Sequence, residues 1–449
     1  MLYRFRACNK FLFEELDKKY IYFSDVNDFN DYGENQINLV FQGDLIAWKG
    51  FLKHYISSLL LTLSFNNFAN DSKIFLNIEN YDSDYCTYPL EIRKILKKIS
   101  FDFLEDEFVK YFLSVIVNKK ISQRKLFLII SYLHIRALMI INDSQNKDEI
   151  NKLAPFEVFK ENLDRIINLN NIEELNEMIF QQEAIEILPY LKNLKKRKPL
   201  IIVDFPKEYL QQSKKILYPD KYIACFSEVF SNILMWGYYS DSFSGVCLEF
   251  NTVQDNNKKY IELYDRIGVN NNGTFFDWEK FYFKQVIYSN SEETFPEVNF
   301  FENIGMIPRC YKSLFLIENH ESSKYLENSE EWRLKYWKLF ENLSIHKLLD
   351  WKHEKEWRLI KDNTFFSFDD IENRKLKYKF SSLNGIIFGN KVTKKNKDRI
   401  IKIIAKNCIE EGRKEFDFFN LIYLNGKLQK QKCIYSILRL KKILKKRNL

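Results

Sequence analysis

The chain has 449 residues, of which 46% are hydrophobic and 29% charged, so it can bury a large core and is not intrinsically disordered. The formal charge of +8, from 69 basic against 61 acidic side chains, is a mild excess that does not by itself demand a nucleic-acid partner. Seven scattered cysteines form no C-x-x-C pair, which argues for free thiols in a reducing cytoplasm and against a disulfide framework or a zinc knot.

MLYRFRACNK lacks the apolar core of a signal peptide, and apolar stretches such as ISSLLLTLSF are too short to span a bilayer. The expectation is a cytoplasmic protein that does not enter the membrane. Leu2 to Arg6 alternates as a strand, Lys10 to Lys18 has helical apolar spacing, and Tyr20 to Ser24 is a second β-rich run. The loop that follows, DVNDFNDYGEN, carries polar groups, but turn chemistry accounts for Asn27 and Asp28.

From Leu45 to about Leu194 the apolar residues recur at helical spacing in stripes that begin at Trp48, Leu90, Phe101, Gln123, Pro155 and Ile172. His54 and His134 lie inside such stripes and read as hydrogen-bonded core histidines. KNLKKRKP, residues 192–199, reads as an exit linker. Strands are expected again at LIIVDF (200–205), at YIACFS (222–227) and at GVCLEF (245–250), with a helix turn carrying Met235 and Trp236 between the last two. A short strand follows at 284–288, a mixed and mainly helical stretch at 317–347, and then GIIFGNKVTKKNKDRIIKIIAK as strand, turn and helix. The tail from Lys427 holds nine Lys or Arg and no acid, which suits either a solvated helix face or a phosphate-facing patch.

DWKHEKEWRLI, residues 350–360, has the outline of a strand. On a strand Glu354, Glu356 and Arg358 share one face and Lys355, Trp357 and Leu359 the other. Alone it fits an amphipathic edge strand with solvated charges.

LYRFR, YFSDVNDFND, IACFSEVFSNILMWGYYSDSFSGVCLEF, FKQVIYS, DWKHEKEWRLI and LNGIIFG stand in an order that resembles the bacterial family called domain of unknown function 2971. The resemblance covers about residues 1–42 and 200–405. It implies an α+β fold in which residues 1–44 and 200–410 form an α/β catalytic-like core, 45–199 a helical insertion and 411–449 a basic C-terminal segment.

More loosely, the same segments resemble an ADP-ribosyltransferase scaffold, with a split β-sheet core. That likeness implies an NAD substrate held by Tyr3 and Arg4 on the first strand, with Ser24, Asn30 and Asp31 nearby. It puts Phe226, Ser227, Trp236 and Tyr239 around the nicotinamide, and Glu356 and Glu354 as catalytic carboxylates. Arg358 would hold a phosphate or pin Glu356. A carboxylate is needed because breaking the glycosidic bond develops positive charge on the ribose. CFSE stands where such enzymes carry a Ser-Thr-Ser triplet. The implied function is a toxin-like effector, including one in anti-phage defence, that modifies a nucleic acid or protein acceptor. Two alternatives stand beside it: a nucleic-acid-binding effector or nuclease that uses Asp25, Asp31, Glu354 and Glu356 for magnesium, and a nucleotide sensor without chemistry.

Overall fold

The computed structural model describes residues 1–31, 37–65, 88–142, 155–168, 199–270, 273–290, 296–306, 315–318, 321–326, 330–364 and 366–433. The fold is mixed α and β, with no closed barrel among the described residues. The chain divides into two compact units, one of Met1–Gln36, Asp220–Thr294 and Glu341–Leu449, the other of Ile37–Pro219 and Phe295–Phe340.

The first unit is built on a nine-stranded sheet. Its strands are β1 (Leu2–Arg6), β2 (Ser24–Asp25), β3 (Lys221–Ser227), β4 (Val246–Phe250), β5 (Lys284–Gln285), β6 (Glu356–Asp362), β7 (Leu383–Phe388), β8 (Asp417–Leu424) and β9 (Lys427–Lys432). The order across the sheet is β5-β6-β3-β1-β4-β7-β8-β9, with β2 pairing to β3. Only β7 and β8 run parallel, and helix α3 (Lys394–Glu410) makes the crossover that a parallel pair requires. Thr393 caps α3 by accepting the amide of Asn396.

Both faces of this sheet are covered. Helix α1 (Lys10–Lys18), capped by Asn9, sets Leu12 and Leu16 on one face against Leu2, Leu248 and Phe250, and α3 adds Ile400 and Ile404. Helix α2 (Ile233–Tyr239) lies on the other face, where Trp236 packs with Phe5, Cys247 and Ile387. Gly245 precedes β4 because a Cβ there would come within 2.2 Å of Arg6 O. A second sheet in this unit joins Gly273–Tyr282, Lys258–Asn270, Lys375–Tyr378 and Tyr20–Tyr22 in that order, with Val253–Asp255 beside Lys258–Asn270.

The second unit is mainly helical. Helices Leu45–Phe65, Leu90–Glu105, Glu107–Ile116, Gln123–Ile141, Phe156–Asn168 and Pro199–Leu217 surround an aromatic core of Phe41, Trp48, Phe51, Tyr55 and Tyr209. His54 and His134 are buried and hydrogen-bonded as expected: His54 Nδ1 lies 2.7 Å from the Tyr209 hydroxyl and His134 Nδ1 2.8 Å from that of Tyr55.

Four expectations are corrected. LIIVDF begins a helix, not a strand, because the apolar run continues as Phe205, Tyr209, Ser213 and Leu217, buried every fourth residue. Residues 295–340 belong with the helical unit, since Phe300 and Phe301 join its aromatic core. Residues 417–432 are no separate tail, because β8 and β9 extend the large sheet. Finally, Leu349–Glu354 forms a 3-10 turn and β6 starts only at Glu356, with Lys355 between them in the left-handed region at φ 46°. The stripe at 172–188, the linker at 192–199 and the tail beyond Cys433 lie outside the described residues.

Candidate functional site

Strand register assembles the site. Tyr3 of β1 stands opposite Ser227 of β3, and Ser227 stands opposite Glu356 of β6. On its other side Tyr3 faces Glu249 of β4. Directly opposed residues share a face, so Glu356, Ser227, Tyr3 and Glu249 form one row across four adjacent strands, on the side covered by α2. Glu356, Ser227 and Tyr3 of this row floor a cavity of about 350 Å³. Its walls come from the chain after β2, through Phe29 and Asn30, from α2, through Tyr239, and from Lys347 and Glu354.

Four of the cavity's charged groups, on Glu354, Glu356, Lys347 and Arg358, are buried and satisfy one another. Arg358, two residues along β6 and therefore on the same face, grips Glu356 with Nε to Oε1 at 2.8 Å and Nη2 to Oε2 at 2.9 Å. Its Nη1 donates to Ser344 O at 2.8 Å. Lys347 Nζ lies 2.7 Å from Glu354 Oε2 and 3.4 Å from Glu356 Oε2, so one ammonium bridges both carboxylates. The Tyr239 hydroxyl donates to Glu354 Oε1 at 2.6 Å and receives a 3.2 Å hydrogen bond from Asn30 Nδ2. Glu354, Glu356, Lys347 and Arg358 are each less than 5% exposed, and two anions balance two cations.

Left-handed Lys355 makes this convergence possible. A continuous strand would space Glu354 and Glu356 two residues apart along one face. The turn instead folds Glu354 back so that both acids reach Lys347. A non-glycine residue in this conformation costs about 1 kcal/mol or more, a strain that clusters at functional positions.

Burial opposes ionisation of Glu356, yet Arg358 and then Lys347 outweigh it and hold its pKa down to about 2. The Arg358 fork and the Lys347 ammonium thus both favour its anionic form. Burial, reinforced by Glu354, pushes the Tyr239 hydroxyl well up, which keeps it a donor. Burial and then Glu249 raise Tyr3 to about 12.

Of the residues singled out from the sequence, Tyr3, Ser24, Asn30, Tyr239, Glu354 and Glu356 line the cavity together. Ser227 is there too, but its hydroxyl lies 2.7 Å from Glu354 O and 3.0 Å from Val229 O, so its single proton is committed to the turn backbone and none is left for a ligand. Arg4 and Phe226 border the cavity, while strand alternation sends their side chains to the α1 face. There the Arg4 guanidinium donates to Tyr22 O at 2.8 Å, sits 3.7 Å from Glu15 and lies over the Phe226 ring. Trp236 is corrected to a core residue, fully buried with its indole nitrogen donating to Phe230 O. Asp31 is outside the lining, and Arg358 acts through Glu356.

The acids proposed for magnesium do not gather. Asp25 caps the turn that follows it by accepting the amide of Asn27, and Glu354 and Glu356 are occupied by cations. Among the described residues, no three of His, Cys, Asp or Glu are grouped to hold a metal. No helix among them is long and apolar enough to cross a membrane.

Lys347 was not legible in the sequence. It sits in the strand His346–Leu348, which pairs in parallel with Ile287–Ser289, and nothing local in SIHKLLDW marks its role. Tyr288, on the partner strand, accepts the Glu356 amide at 2.8 Å and was likewise unforeseen.

The model of the family described as Protein of unknown function (DUF2971) matches residues 235–359. That stretch is similar to the DUF2971 family. It supplies Tyr239, Lys347, Glu354, Glu356 and Arg358, the whole of the charged cluster, while β1 and β3 with Tyr3 and Ser227 lie before it. No curated protein and no solved structure matches the chain.

Proposed function

We propose that the cavity cleaves the nicotinamide–ribose bond of NAD and transfers ADP-ribose to an acceptor. The observation that carries this reading is Glu356, held as a permanent anion by Arg358 and Lys347 beside Tyr3 on the cavity floor. A carboxylate that cannot take up a proton stabilises the positive charge that develops on the ribose as nicotinamide leaves with its bonding pair. The acceptor's nucleophilic atom then bonds the ribose carbon, and Glu354 is the nearby base for the acceptor's proton. Tyr3 supplies a ring against which nicotinamide can stack.

The decisive experiment is incubation of the purified protein with NAD and chromatographic assay of free nicotinamide. Wild type should release it, and Glu356→Gln should lower the rate by about 100-fold or more. Absence of nicotinamide release would remove this reading.

One observation favours a second reading, a nucleotide sensor without chemistry. All four oxygens of Glu354 and Glu356 already have intramolecular partners. In that case NAD raises the melting temperature and no nicotinamide appears. In the first reading the protein is a growth-arresting effector of the kind used in anti-phage defence, with a protein or nucleic acid as acceptor.

A further inference from the structure

The second sheet of the first unit presents a surface that the cavity does not use. Trp278 stands opposite Tyr264, and Tyr264 opposite Lys377, so the three form a row across adjacent strands and share a face. Trp278, Tyr264 and Phe276 are 38%, 39% and 50% exposed, far more than large aromatic side chains with core roles. Their rings are mutually close: Tyr264 lies 5.9 Å from Phe276 at an interplanar angle of 20°, and 5.5 Å from Trp278. Strand pairing holds this aromatic platform at little entropic cost.

Beside the platform is a depression of about 780 Å³ whose cationic lining is Lys18, Lys19, Lys377, Lys379 and Arg413. Glu411 is the one carboxylate in that lining, and it is engaged by Lys19 at 2.8 Å. Lys379 Nζ sits 5.2 Å from the Trp278 ring centroid, so a cation and a stacking ring are adjacent. Arg413 is committed to the carbonyls of Leu383 and Asn384, and Lys18 and Lys379 are paired at the surface with Glu14 and Glu262, pairs that a phosphate can replace, whereas exposed Lys377 makes no ion pair among the described residues.

Exposed rings in a row with lysines beside them match the two chemical features of a single polynucleotide strand, unpaired bases and a phosphate every residue. A duplex hides its base faces, and an apolar protein partner would gain nothing from the lysines. We propose that this face binds single-stranded nucleic acid, with bases stacked on Trp278, Tyr264 and Phe276 and phosphates drawn to Lys377, Lys379 and Lys18. The proposal is independent of NAD chemistry in the cavity.

The test is fluorescence anisotropy of end-labelled 12-nucleotide RNA and DNA single strands with the full chain. Binding should weaken steeply with added salt, and a duplex of the same sequence should bind more weakly. Trp278→Ala should weaken single-strand binding about tenfold, and Lys377→Glu should also flatten the salt dependence by about one unit of slope. Both side chains are exposed, so melting temperature and nicotinamide release should not change. RNA bound more tightly than DNA would assign the ribose hydroxyl a part, and equal binding would support recognition of bases and phosphates alone. No binding at micromolar protein, equal binding of duplex, or binding unaltered in both variants would overturn the proposal. So would concentration-dependent dimerisation in light scattering that Trp278→Ala abolishes, since the face would then join two copies.

Discussion

Arg358 holds Glu356 through two parallel hydrogen bonds of 2.8 and 2.9 Å, from a position two residues along the same strand. Because both side chains are almost wholly buried, this pair fixes the protonation state of the cavity as well as its shape. Removing one member leaves an uncompensated charge, which costs more than the pair itself contributes. Arg358→Ala should therefore lower unfolding stability by about 3–5 kcal/mol in urea denaturation, and Arg358→Lys by less, since an ammonium keeps the charge but not the fork.

The acid limb of stability should report Glu356 directly. Its folded pKa is depressed to about 2, below that of the unfolded chain, so its contribution is fully present above the usual carboxylate range. That contribution is lost as pH falls from roughly 5 toward 2. Glu356→Gln should have a shallower loss of stability across this window than wild type. Equal slopes in the two proteins would show that Glu356 is not held as an anion.

Lys347 is the common partner of both acids, and its removal should be felt at both. Lys347→Met places two carboxylates side by side with only Arg358 to balance them, so one should take up a proton near neutral pH. The expected outcome is a new pH dependence of NAD binding or nicotinamide release between about pH 5 and 8, absent from wild type. Tyr239→Phe removes a charge-assisted donor from Glu354 and should cost about 1.5–3 kcal/mol of stability without creating that dependence.

Lys221 gives a second prediction of pH dependence, in an alkaline window. Burial lowers its pKa to about 7, against partial restoration by Asp362 and Glu341, and its Nζ donates to Ser344 Oγ at 2.5 Å. The unfolded chain then binds more protons than the folded one between pH 7 and the ordinary lysine range, so stability should rise with pH across that interval. Lys221→Met should flatten the rise between pH 7 and about 9.5 in thermal unfolding.

Expression in a bacterial host tests the effector reading as a whole. Wild type should slow growth, and Glu356→Ala should relieve the effect. Undiminished toxicity in a variant that accumulates normally would place the activity elsewhere.

What the sequence determined by itself were the elements whose signal is local. LYRFR, YIACFS and GVCLEF alternate or run apolar over strand length, and each forms a strand. KKNKDRIIKIIAK has helical spacing behind a Thr cap, and it forms α3. The nomination of Glu354, Glu356, Tyr3 and Tyr239 likewise came from short segments, and the DUF2971 match covers all of these but Tyr3. LIIVDF misled because a six-residue apolar run has no period of its own, and only the buried residues beyond it declare a helix. Tertiary structure decided the rest, because the relevant contacts are made across long stretches of chain. Register between β1, β3 and β6 aligned Tyr3, Ser227 and Glu356 from positions more than a hundred residues apart. A left-handed turn at Lys355 brought Glu354 round to the ammonium of Lys347. Whether an acid is a solvated surface charge or a locked anion depends on burial and on partners that only folding supplies, and Glu356 became the second through Arg358 and Lys347.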